Sequence, residues 1–346
     1  MGAMGRRTVA MCVAVAVAAG APTACTTDPS PLPGAGLPSA DPAPAASASA
    51  ASAPPAPAAS GTPAPGVSGP GSPAVRPTGR APARAFAVGV RRLELSRGAD
   101  RPLPTTVWYP ATGPAGRGVT PRATAAPGPF PLILFSHGLT AEPSDYRAIL
   151  TRWVAAGFVV AAPAYPHTSR GVRDFDPVDL INQPADASRI ITDLLKRNTT
   201  KGDPLRGRID PDRTAAAGHS GGGITTVGQF TGSRDNRLDA GIVLAGQQLF
   251  AVPFTGPPAP LLFVHGRRDR TVEYAAGLAA FRSVPWPRAM LTVTAGGHVT
   301  TDRDFEVTAR TTTEFLRWSL YGDPAARTRI AVEARRGGIA KLTDDL

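Results

Sequence analysis

The chain has 346 residues, a formal net charge of +11 and two cysteines, Cys12 and Cys25. Its length allows one large domain with extra segments, or two small domains. Because both cysteines lie near the N-terminus, the rest of the chain has no disulfide, no cysteine nucleophile and no cysteine-based metal site. Most of the positive charge comes from scattered arginines, without a dense basic block among aromatic residues, which argues against nucleic-acid binding.

The first 25 residues are typical of an export signal. Arg6 and Arg7 supply positive charge, and the apolar run from 8 to 19 is too short to span a bilayer comfortably. The segment ends in PTAC, which resembles a bacterial lipoprotein signal with Cys25 as the lipidated residue, although Pro22 stands where that signal usually has an aliphatic residue. We expect an exported protein whose only membrane contact is this lipid anchor at the outer face; ordinary secretion with cleavage nearby is the alternative.

A low-complexity segment follows the signal. Residues 26–84 are nearly all Ala, Pro, Ser, Gly and Thr. Such a sequence buries too little apolar surface to offset the entropy lost on ordering, so it predicts a disordered, proline-stiffened linker. Residues 85–346 remain as the catalytic domain, a size typical of a single α/β domain.

Strands and helices alternate through this domain. The segments 85–95 and 104–110 predict two strands that could pair as a hairpin. Further strands are predicted at 131–138, 158–165, 214–218, 240–246, 260–266 and, as the last, 288–296. Helices are predicted at 144–157 with Ser144 as N-cap, at 183–198, and around Phe305 and Trp318. The alternation predicts a mostly parallel sheet covered by helices on both faces.

The stretch GHSGG, residues 218–222, matches the nucleophile-elbow pattern G-x-S-x-G. It makes Ser220 the candidate nucleophile, and His219 the variable residue of the pattern. Gly218 and Gly222 allow a strand and a helix to pack closely around a strained serine. A glycine-rich linker is the alternative, but the position between a predicted strand and a helical segment favours the elbow.

A catalytic serine needs a base and an acid, which follow it along the chain in this pattern. Asp269 follows the predicted strand 260–266 at its C-terminal end, where open α/β sheets place their sites. His298 follows the last predicted strand, in the sequence GGH. We therefore predict the triad Ser220, Asp269 and His298. Other acids compete less well, because they lie on predicted helices: Asp186, Asp302 and Asp304.

The oxyanion of an acyl-transfer intermediate needs two backbone N–H donors. One donor is predicted at Gly221, directly after the nucleophile, and the other at Leu139 in the SHGLT loop. Leu139, Thr140 and residues 247–250 are candidates for the border of the acyl site; an ordinary exposed loop is the alternative for the last segment.

These motifs together resemble the α/β-hydrolase superfamily, and within it serine esterases of the dienelactone-hydrolase, platelet-activating-factor-acetylhydrolase and cutinase-like polyester hydrolase type. The resemblance rests on LPTTVWYP, PLILFSHGLTA, DPDRTAAAGHSGGG, FVHGRRD and GGH. It implies the α/β-hydrolase fold and ester hydrolysis. The chain departs from dienelactone hydrolases in having Ser220 instead of cysteine. It departs from polyester hydrolases at Leu139 and Gly221, where those enzymes usually have an aromatic residue and a methionine, and it lacks their disulfide.

The sequence thus predicts a monomeric carboxylic ester hydrolase that acts through an acyl-enzyme, without metal or cofactor. Its substrate would be a small-molecule or polymeric ester that is exported or associated with the cell envelope. An acyltransferase or a peptidase with the same triad is the enzymatic alternative, and a non-catalytic surface-binding module is the other.

Overall fold

The computed structural model describes residues 79–116, 118–298 and 302–346. The predicted export signal at 1–25, the lipidation candidate Cys25 and most of the predicted linker at 26–84 lie outside this range. Within it, Ala81 is buried, and Pro82 lies against the position of Gly157, so the packed part of the chain extends back at least to Ala81. None of the helices described combines the length and hydropathy needed to cross a bilayer.

The described residues contain ten strands that form one mixed sheet. The strands are β1 (Ala87–Ser96), β2 (Pro102–Ala111), β3 (Val119–Pro121), β4 (Phe130–Ser136), β5 (Val159–Pro163), β6 (Ile209–His219), β7 (Leu238–Leu244), β8 (Leu261–Gly266), β9 (Arg288–Val293) and β10 (Ala340–Asp345). Their order across the sheet is β10-β9-β8-β7-β6-β4-β5-β2-β1-β3. The central strands from β5 to β9 run parallel, while β1, β2 and β10 each pair antiparallel with a neighbour.

Helices cover both faces of this sheet. They are α1 (Arg147–Ala155), α2 (Gln183–Thr199), α3 (Gly221–Gly228), α4 (Tyr274–Ser283), α5 (Asp302–Tyr321) and α6 (Pro324–Arg335). All seven residues of β4 are buried, with Ile133 and Phe135 in one hydrophobic core and Leu132 and Leu134 in the other. The first core contains residues of α1, α5 and α6, and the second contains residues of α2, α3 and α4. The predicted α/β-hydrolase fold is confirmed.

Two predicted boundaries are wrong. Pro143–Tyr146 form a 3-10 turn before α1, so Ser144 lies inside this turn and is not an N-cap. The N-cap of the turn is instead Glu142, whose backbone N–H donates to the Asp145 carboxylate at 2.9 Å. At the other end of the chain, the predicted strand at 288–296 ends at Val293 and is not the last, since β10 pairs antiparallel with it.

A buried ion-pair cluster fixes the second 3-10 turn, Pro177–Ile181, to the end of the β1–β2 hairpin. Arg101 contacts Asp179 at 2.7 Å and Asp186 at 2.5 Å, and Arg97 contacts Asp186 at 2.6 Å. Both aspartates are buried, so the pairing offsets the cost of removing their charges from water. The partners of Asp186 are therefore two arginines, and neither of them belongs to the predicted triad.

Candidate active site

Ser220 lies at the sharp turn between β6 and α3. Its backbone has φ 56° and ψ −120°, a conformation that is rare for a residue with a side chain. A Cβ atom on Gly218 would overlap the Gly222 carbonyl, and one on Gly222 would overlap the Ser136 carbonyl on β4. Glycine is therefore required at both positions. The turn exposes the serine at the carboxyl end of the parallel strands, where ligands bind in such sheets.

Backbone strain is concentrated around this serine. Four non-glycine residues in the described ranges have a positive φ, and three of them, Thr140, Ser220 and Ala245, follow the neighbouring strands β4, β6 and β7. Thr140 is β-branched, and its φ of 58° is held by a 2.8 Å hydrogen bond from its N–H to the Thr168 carbonyl. Strained residues of this kind persist where surrounding structure enforces them, commonly at functional sites.

Asp269 and His298 form a close pair. The His298 Nδ1 atom lies 2.8 Å from the Asp269 Oδ2 atom. The other carboxylate oxygen accepts the backbone N–H groups of Thr271 and Val272 at 2.8 and 3.0 Å. Burial alone would raise the pKa of Asp269, but hydrogen bonds from His265, His298 and these two amides outweigh burial and hold the pKa well below its usual range. The ionised carboxylate fixes the proton of His298 on Nδ1 and leaves Nε2 as a proton acceptor.

The other predicted acids are not partners of His298. Asp186 is held by the arginine cluster, and the Asp304 carboxylate lies beside Gly296 without a hydrogen bond to the His298 ring. The side chain of Asp302 lies outside the described part of the chain. No group of three or more His, Cys, Asp or Glu residues within the described ranges is arranged to hold a metal ion.

A cavity of about 450 Å³ brings the nucleophile and the histidine together. Ser220, His298, Leu139 and Thr140 line it, with an apolar wall from the residues Ile149, Leu244 and Phe305. No hydrogen bond joins the Ser220 hydroxyl to the His298 ring in this structure. Such bonds are often long in free enzymes and tighten only when substrate is bound.

The two predicted oxyanion donors lie side by side. A Cβ atom built on Gly221 would be 3.4 Å from the Leu139 nitrogen. Neither N–H donates to another described residue. The loop that carries Leu139 is fixed by His137, whose Nδ1–H donates to the Gly138 carbonyl at 2.8 Å. Burial lowers the pKa of His137 and keeps this ring neutral.

A second cavity of about 160 Å³ lies on the other side of Gly221. Leu180, Ile181 and residues 248–250 line it. The predicted border loop therefore lies at this second cavity, whereas Leu139 and Thr140 lie at the first. Gly221 stands between the two, since a Cβ there would be 3.1 Å from Leu180 and 3.2 Å from the Leu139 side chain.

The chain is similar to a known family over part of its length. The chlorophyllase family model matches residues 113–245. The match supports an ester hydrolase of the α/β-hydrolase type. It covers the loop of Leu139 and the elbow of Ser220, and it ends before Asp269 and His298, whose assignment rests on geometry. No curated protein matches the chain, and the resemblance to dienelactone and polyester hydrolases stays a prediction.

Proposed function

We propose that the protein is a serine-dependent carboxylic ester hydrolase. The observation that carries the proposal is the 2.8 Å pair of Asp269 and His298, which opens onto the same cavity as the strained Ser220. A nucleophile, a base oriented by a third group and two convergent N–H donors are the parts that acyl transfer requires. The family match supports the same reaction class.

The reaction has two halves. In the first, Ser220 Oγ attacks the ester carbonyl carbon while His298 Nε2 takes its proton, and the N–H groups of Leu139 and Gly221 stabilise the oxyanion. The C–O bond to the alcohol then breaks, and His298 returns the proton to the departing alkoxide. In the second half, water attacks the acyl-enzyme, His298 takes the proton of that water, and the acid leaves as Ser220 regains its proton. Asp269 remains ionised and stabilises the imidazolium in both halves.

The cavity limits the substrate class. Its volume of about 450 Å³ lies within the usual range of roughly 300–1,000 Å³ for small-molecule sites. Its apolar wall is suited to an apolar acyl or alcohol group. We place the enzyme outside the cytoplasm, anchored through Cys25 and acting on exported or envelope-associated esters, because of the N-terminal sequence.

The test is a set of initial hydrolysis rates with the purified full chain. The substrates are p-nitrophenyl esters from acetate to palmitate, measured for the wild type, for Ser220→Ala and for the control Ser233→Ala. Ser233 is an exposed serine in the turn that follows α3. We expect Ser220→Ala to lose at least about 10³-fold in kcat and Ser233→Ala to match the wild type. Equal rates for wild type and Ser220→Ala would exclude the proposal. Transfer of most of the acyl group to an alcohol that is far less concentrated than water would identify an acyltransferase.

A further inference from the structure

A chain of hydrogen bonds connects the oxyanion loop (residues 137–141) to the histidine loop (residues 294–298). The backbone N–H of Gly138 donates to the Tyr146 hydroxyl at 3.0 Å. That hydroxyl lies 3.0 Å from His219 Nδ1, and His219 Nε2 lies 2.8 Å from the backbone carbonyl of His298. Tyr146 and His219 also line the cavity that Ser220 lines, and the chain joins the two loops that hold the other catalytic groups.

The two ends of this chain fix the direction of its first and last bonds. A backbone N–H can only donate and a carbonyl can only accept, so His219 carries a proton on Nε2 and donates it to the His298 carbonyl. In the neutral ring Nδ1 is then an acceptor, and the Tyr146 hydroxyl donates to it while accepting from Gly138. A cationic ring would make Nδ1 a second donor to the same hydroxyl and would leave the hydroxyl proton without this acceptor, so the network favours the neutral ring.

The surroundings of His219 favour this neutral form. Burial, and then the nearby His298 and His265, lower the pKa of His219 to about 4 against the opposing effects of the His298 carbonyl and Asp269. The His219 and His298 rings lie 4.8 Å apart, centre to centre. A cation on His219 would therefore oppose the imidazolium that His298 becomes during catalysis. Other ionisable groups near the network are Asp304, which borders a small space with His219 and His298, and Asp145 and Arg170, which act on Tyr146.

We propose that Tyr146 and His219 are positioning residues, which hold the oxyanion donors and the catalytic histidine at the correct positions relative to the nucleophile elbow. The inference rests on the proposed function for the roles of Leu139 and His298. Tyr146 holds the N–H of Gly138, the residue before Leu139, and His219 holds the carbonyl of His298 itself. Neither side chain exchanges a proton with the substrate. Losing either one leaves the nucleophile in place but loosens the geometry around it.

Three variants test this role. Tyr146→Phe removes the hydroxyl and keeps the ring, whose centre lies 4.7 Å from the centre of the Phe135 ring. His219→Phe removes both bonds of the imidazole, while His219→Gln keeps an amide N–H that can donate to the His298 carbonyl. The matched control is Tyr109→Phe, which removes a different buried tyrosine hydroxyl, one that donates to the Ala123 carbonyl at 2.8 Å.

We expect Tyr146→Phe and His219→Phe to lower kcat on the order of 10-fold with KM changed less than about 3-fold, because the hydrogen bonds that are lost join protein groups to one another and orient the catalytic groups. His219→Gln should recover part of that loss, and Tyr109→Phe should match the wild type. The positioning role would be overturned if Tyr146→Phe and His219→Phe both kept the wild-type kcat. It would also be overturned if His219→Gln lost as much kcat as His219→Phe.

A second readout requires no substrate. In a histidine-ring NMR titration, with the His219→Gln spectrum assigning the signal, the wild-type pKa of His219 should lie near 4. Tyr146→Phe removes a donor to the neutral ring, so this pKa should rise to roughly 5. An unchanged pKa would refute the network even if the enzyme hydrolyses esters. Conversely, a raised pKa in a protein without Ser220-dependent hydrolysis would leave the network intact and reject the proposed function.

Discussion

The substitution Asp269→Asn gives a sharp test of how His298 is held. One oxygen of Asp269 accepts two backbone N–H groups, at 2.8 and 3.0 Å. An asparagine at this position has to keep its carbonyl oxygen there, which turns its NH₂ group toward His298 Nδ1. That nitrogen must then accept instead of donate, so the proton of the neutral ring moves to Nε2. In this tautomer Nε2 cannot take the proton of Ser220.

The expected loss is therefore that of a base in the wrong tautomer, on the order of 10⁴-fold in kcat. Stability should fall as well, because the asparagine keeps its backbone contacts but loses the charge that His265 and His298 contact. The assay is the p-nitrophenyl ester rate of the full chain beside the matched control Asp304→Asn, with thermal unfolding to show that each variant is folded. Asp304 is the competing acid near the histidine loop, and its variant should keep at least about one third of wild-type kcat.

A folded Asp269→Asn variant within about 10-fold of the wild type would refute this reasoning. So would a loss of the predicted size in Asp304→Asn alone, since that result would make Asp304 the partner of His298.

Three further substitutions probe the elbow, the buried ion pairs and the cavity. Gly222→Ala forces a methyl group against the Ser136 carbonyl and should cost about 3 kcal/mol in the free energy of unfolding, measured by urea denaturation. Arg101→Gln leaves two buried aspartates without their main partner and should cost about 3–5 kcal/mol in the same assay, whereas Arg336→Gln, in an exposed pair, should leave the urea midpoint at the wild-type value. Phe305→Ala widens the cavity and should raise kcat/KM for long-chain over acetyl esters by about 5-fold, with no change in this ratio contradicting the acyl-site assignment.

The predictable parts of the fold are those in which the local sequence alone shows the physical reason for the structure. Continuous apolar runs predicted β4, β5, β7 and β8, because strands buried on both faces must be apolar throughout. The glycines of the elbow and the order of Ser220, Asp269 and His298 indicated the site. The structure places the Asp269 carboxylate and the His298 ring 2.8 Å apart, and their catalytic roles stay a prediction.

Two features that the sequence does not indicate, β10 and the contacts of His219, depend on residues distant in the chain. β10 has the sequence AKLTDD, and most of its residues are at least partly exposed, so it lacks the apolar signal of a buried strand. In the sequence His219 is only the variable residue of the elbow, because nothing local shows that Tyr146 and the His298 carbonyl lie on either side of it. Tyr146, the last residue of the short turn that follows the oxyanion loop, is the only local sign of this network.

The most direct test of the central claim is to locate the covalent adduct formed by a fluorophosphonate. Intact mass should increase by one label per chain, and tryptic digestion should place the label on the peptide 214–234, with fragmentation assigning it to Ser220. Asp269→Asn should label far more slowly than the wild type. A single adduct on Ser220 is the result that this account predicts. A folded protein that stays unlabelled, or that is labelled on Ser233 instead, would contradict it.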